Sequence, residues 1–109
     1  MNFKEIGEKI GLDEDEYIEM IELFVESGGE DLQNLETAIK ESDAEKAHAA
    51  SHSIKGSSGS LMLDTVYGIA TSMDDILRTG KFDNVEEMLN NLRNEYETIK
   101  KAYLEKTGE

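Results

Sequence analysis

Two imidazoles and an ammonium lie close together in this chain: His48, His52 and Lys55. His48 and His52 are the only two histidines among 109 residues. A neutral imidazole is a competent nucleophile, and the ordinary histidine pKa of ~6.5 leaves most of it unprotonated at pH 7. Beside a cation it suits transfer of an anionic group. Phosphoryl transfer fits best, because its loose transition state asks chiefly for alignment and charge neutralisation. Other chemistries fare worse. The i, i+4 spacing of His48 and His52 would let both rings share a zinc ion, but a third ligand is needed. The outward face of the same segment offers only Lys55, Gly56 and Gly59, so no metal site is expected. Lys55-Gly56-Ser57 reverses the P-loop order and follows no strand pattern, which excludes a nucleotide cradle. No Asp-x-Asp/Asn-x-Asp/Asn-Gly run provides a calcium loop. The absence of cysteine removes thiol catalysis, disulfides and Cys-ligated zinc.

The elements that must hold these residues are helical. There is no proline, and aromatic residues make up only 6% of the chain. Phe3, Ile6, Gly7 and Ile10 keep i, i+3, i+4, i+7 spacing, which predicts a short helix ended by Gly11. Asp13 is an N-cap candidate, followed by acidic residues that suit a helix start. Tyr17, Met20, Ile21, Phe24, Leu32, Leu35 and Ile39 hold one stripe, interrupted by Gly28-Gly29. The pair would bend or split that helix, and the stripe resumes in phase, which favours a bend. Asp43 should cap a helix running to about Leu61. Asp64 or Thr65 opens the next, with Val66, Ile69, Ala70, Met73, Ile76 and Leu77 in phase and a stop at Thr79-Gly80. Asp83 restarts the chain for a last stripe of Val85, Met88, Leu89, Leu92, Tyr96, Ile99 and Tyr103. Met20, Phe24, Met73 and Met88 read as core. The expected fold is all-α: one domain over residues 1–109, with a short helix at 1–11 and an antiparallel four-helix bundle over 13–106.

One stretch conflicts with its surroundings. Residues 49–60 read AASHSIKGSSGS, with two glycines and five serines where the flanks imply helix interior. It is either a loop or a helix kept deliberately thin, and such conflicts tend to mark function. At about 100° per residue, a helix gathers Ala47, Ser51, Ile54, Ser58 and Leu61 on the core side and turns His52 about 140° away. Helical side chains lean toward the N-terminus, so Lys55 would carry its ammonium toward the His52 ring. A side chain at position 56 would shade that ring, and Gly56 has none.

His52-Ser53-Ile54-Lys55-Gly56-Ser57-Ser58 resembles the signature of histidine-containing phosphotransfer (HPt) domains, His-x-Leu/Ile-Lys-Gly-Ser/Ala-Ser/Ala. Asp43 before the motif helix and Asp74-Asp75-Ile76 before Thr79-Gly80 echo the family's spacing, and the Tyr17–Ile39 stripe falls where it has its first long bundle helix. Two departures stand out. Met62 replaces a common glycine, and Asp74-Asp75 replace the more usual Leu-Glu. The resemblance implies His52 as phospho-acceptor, Lys55 as the cation near the phosphoryl group and Gly56 as the clearance position. It implies receiver domains as donors and acceptors of the phosphoryl group, with Mg²⁺ and the catalytic carboxylates on the receiver and no cofactor on this chain.

Charge bounds the partners. Eleven Lys and Arg stand against 25 Asp and Glu, a net of −14, which opposes binding to nucleic acid or anionic membranes. Carboxylate runs such as Asp13-Glu14-Asp15-Glu16 and Asp74-Asp75 read as solvated faces. An acidic receiver would be repelled at long range, so docking is expected at a local patch near His48, Ala49 and Gly59. No leader or span of ~18 apolar residues is visible, so a cytoplasmic monomer is expected. Without a nucleotide motif, the chain reads as a carrier rather than an autokinase. The competing reading is an acidic helical adaptor that binds non-covalently, its histidine vestigial.

Overall fold

The first three helices begin where a side chain satisfies a backbone N–H group that the first turn leaves unpaired, whereas the last two start without a side-chain cap. In the computed structural model, which describes residues 1–108, α1 spans Phe3–Lys9 behind an Asn2 cap. Helix α2 spans Glu14–Lys40 and opens with a reciprocal capping box, in which Asp13 accepts from the Glu16 N–H and Glu16 accepts from the Asp13 N–H. Helix α3 covers Ala44–Ser60 with Asp43 accepting from the Lys46 N–H, α4 covers Asp64–Arg78, and α5 covers Val85–Thr107. The restart expected at Asp83 comes two residues later. Asn84 takes a left-handed conformation (φ 59°) as the N-cap of α5 and delivers Val85 into the core.

Helix α3 lies between α2 and α4, while α5 closes the ring by packing on α2 and α4. This is the antiparallel four-helix bundle that short connections favour, and among the described helices α1 packs on α2. The small residue at Gly7 permits that approach, since a Cβ there would stand 2.9 Å from the Tyr17 Cβ and crowd two backbone carbonyls.

Gly28-Gly29 do not split α2, which runs unbroken. Their role is proximity. A Cβ on Gly29 would lie 2.8 Å from the Tyr96 hydroxyl, which donates to the Val25 carbonyl and joins α5 to α2. One expectation fails at Met20, which is 41% exposed, as Leu23 is at 57%. The apolar stripe of α2 is wider than the face its neighbours cover, so its edge reaches solvent. Phe24 and Met73 are buried and Met88 is partly so.

Tyr17 is fully buried and donates 2.7 Å to the Leu61 carbonyl, tying α2 to the end of α3. Burial, with Asp64 adding to it, pushes the phenol from 10.0 up to about 12. The folded state therefore holds this proton more tightly than the unfolded chain, and stability falls as pH rises between 10 and 12. Urea midpoints measured from pH 8 upward should show this decline, and Tyr17→Phe should flatten it.

Candidate functional site

The small-residue stretch is helical throughout, as the interior of α3. Its buried serine hydroxyls turn back on their own helix: Ser51 donates to the His48 carbonyl and Ser58 to the Ile54 carbonyl. Polar groups on a face that meets two other helices are thus satisfied locally, and the small side chains keep the rib thin. Ala47, Ser51, Ile54, Ser58 and Leu61 are all buried, as the wheel requires, joined by Ala50. The register against α2 is set by Ser53, which donates 2.7 Å to Asp31. Burial raises the Asp31 carboxyl above its usual range, the Ser53 hydrogen bond opposes that rise, and nearby Glu30 adds to it.

His52 stands on the opposite side, its side chain 69% exposed. A Cβ built on Gly56 would have no neighbour within 4 Å, so the space downstream of the ring is open. Gly59 differs. A Cβ there would press on the Tyr67 ring at 3.3 Å, so its missing side chain admits α4.

The residue that sequence reasoning missed is Asp74. Expected on a solvated face, it is only 3% exposed and projects from α4 into the middle of the site. Its Oδ1 lies 2.8 Å from His48 Nε2 and 3.5 Å from His52 Nδ1, and its Oδ2 lies 3.6 Å from Lys55 Nζ. The Oδ1 atom nevertheless accepts no hydrogen bond, so the 2.8 Å approach of His48 is a close contact without hydrogen-bond alignment. One buried carboxylate is shared by three side chains of α3. A cue was available: Asp74 is in phase with Ala70 and Leu77 on the buried stripe of α4, whereas Asp75 is exposed.

This geometry changes two expectations. Lys55 is half-buried and moored to Asp74 rather than free beside the ring, because a buried carboxylate attracts the nearest cation. The missing third donor for the two histidines also exists, supplied by the neighbouring helix rather than by α3's own outward face. His48 belongs to the same cluster, its ring centroid 5.9 Å from that of His52. Ala49 is exposed and lines an open groove of about 450 Å³ between α2 and α3, together with Asp31 and Lys46.

The helical bundle presents one exposed imidazole from a thinned helix, backed by a buried carboxylate and a lysine. Comparison with known proteins places it more closely. The family described as Hpt domain matches residues 19–102, and the chain belongs to that family of phosphorelay proteins. Among solved structures it is similar to histidine-containing phosphotransfer protein B (HptB) from Pseudomonas aeruginosa PAO1. Identity is 22%, 85% of this chain and 81% of that chain are covered, and the TM-score is 0.78. Comparison with curated proteins finds no match. Among the described residues no helix is long and apolar enough to cross a membrane.

Proposed function

We propose that this chain accepts a phosphoryl group on His52 from the phospho-aspartate of a receiver domain and passes it to the aspartate of another. The observation that carries this reading is the exposed His52 ring with its Nδ1 edge toward the buried Asp74 carboxylate. A proton on Nδ1 faces the negative charge, which leaves the Nε2 lone pair directed to solvent as the nucleophile. Nε2 forms the N–P bond as the O–P bond of the acyl phosphate breaks, and the electron pair leaves on the receiver's carboxylate. Asp74 then offsets the positive charge that develops on the ring, in the way a carboxylate supports an attacking imidazole elsewhere.

Lys55 supplies positive charge at the phosphoryl oxygens, released from or shared with Asp74 as the group arrives. Mg²⁺ and the in-line carboxylates belong to the receiver. His48, Ala49 and Gly59 are proposed to contribute to the docking face. The chain is a covalent intermediary with no autokinase activity.

The test is incubation with a receiver domain carrying labelled phospho-aspartate. The chain should acquire label that is acid-labile and alkali-stable, as a phosphoramidate is. A chain that binds the receiver and stays unlabelled would be the non-covalent adaptor instead. Lys55→Ala is expected to slow transfer about tenfold or more by removing one charge-stabilising donor. The helical fold should persist, because Lys55 lies outside the hydrophobic core, while the loss of Asp74's cationic partner should lower the melting temperature. Stopped-flow transfer kinetics will check the first and a thermal melt the second.

A further inference from the structure

We infer that His48, His52 and Asp74 form a binding site for a zinc-class divalent cation. Two imidazoles and one carboxylate make a donor set suited to zinc and its first-row neighbours, and three protein ligands leave an open position. The three donor atoms lie within 4.8 Å of one another. In a tetrahedral site with bonds of about 2.0–2.1 Å, ligand atoms stand about 3.3 Å apart. Asp74 Oδ1 is already 2.8 Å from His48 Nε2 and 3.5 Å from His52 Nδ1, which brackets that spacing. Small adjustments of the His48 and His52 side chains would complete it.

A second observation points the same way. Asp74 Oδ1 is buried, faces both rings and accepts no hydrogen bond, although buried polar oxygens are ordinarily satisfied. A metal would satisfy it. The other oxygen, Oδ2, remains with Lys55, so the carboxylate need not give up its ion pair to ligate through one atom. A protein of net charge −14 also attracts divalent cations to its surface.

The site has a consequence for phosphoryl transfer, and this part rests on the function proposed above. A metal on His52 Nδ1 draws electron density from the ring and takes up the Asp74 charge. Zinc loading and phosphorylation therefore oppose one another at a single imidazole.

Binding is tested on the full chain without any receiver, by titrating zinc in competition with a chromophoric chelator. One zinc per chain is expected, and His48→Gln and His52→Gln should each weaken binding at least tenfold. His52 is exposed, so that variant folds irrespective of the outcome. Zinc should also protect both imidazoles from ethoxycarbonylation by diethyl pyrocarbonate, mapped by fragmentation mass spectrometry, whereas Mg²⁺ should not. Absence of binding, or an affinity in both variants equal to that of the parent chain, would overturn the site and assign any zinc uptake to the acidic surface. The ratio of transfer rates with and without zinc is then compared between the wild type and His48→Gln. Inhibition confined to the wild type supports the antagonism, and equal ratios overturn it. Because the titration needs no phosphoryl donor, failure of the metal site and failure of the relay function are read separately.

Discussion

His52→Gln will acquire no label from a phosphorylated receiver while retaining the stability of the parent. The exposed ring contributes little to the core, and surface substitutions of this kind shift stability by only about 0.5 kcal/mol. Loss of transfer should be complete, because glutamine has no nitrogen lone pair of comparable nucleophilicity. His48 is the internal control. It is the only other imidazole in the chain, and its Nε2 lies against the Asp74 carboxylate rather than in open solvent. Label that persists in His52→Gln would move the acceptor to His48 and remove the basis of the proposed chemistry. Measurements of label and of urea midpoint on the same preparation settle both halves.

Gly56→Leu is expected to make the protein more stable and a worse carrier. Helix propensity alone gains about 0.8 kcal/mol when glycine leaves an exposed helical position. Nothing lies within 4 Å of the new Cβ to oppose that gain. Position 56 is four residues after His52, and a side chain there leans back toward the ring. An isobutyl group should hinder the receiver's approach and slow transfer at least tenfold. Opposite signs in denaturation midpoint and transfer rate are the diagnostic result. Unchanged transfer kinetics would mean that Gly56 is not kept for access.

Much of this architecture was legible in the sequence because it depends on short-range rules. Asp13 and Asp43 cap the helices they were expected to cap, and the stripes of α2, α4 and α5 fall inward. The orientation of α3 was also readable, since Ile54 and Ser58 could be buried only by turning His52 outward. What escaped was relational. Asp74 looked like one of many acids, and its importance comes from α4 lying against α3, a contact that no periodicity within either helix encodes. The mooring of Lys55 and the third donor for the histidines were hidden for the same reason. Met20 failed differently. Spacing reports which residues share a face, but how much of that face a neighbour covers depends on the packing of the whole bundle.

Three of the corners between helices turn on a residue with a side chain in the left-handed region: Ser42 (φ 53°), Met62 (φ 56°) and Asn84 (φ 59°). Asparagine tolerates that conformation, whereas methionine and serine hold it against steric cost. The scaffold therefore stops short of the stability its topology permits. Protein engineers seeking a hardier version could rework those bends, far from the chemistry, and leave the working rib of α3 untouched.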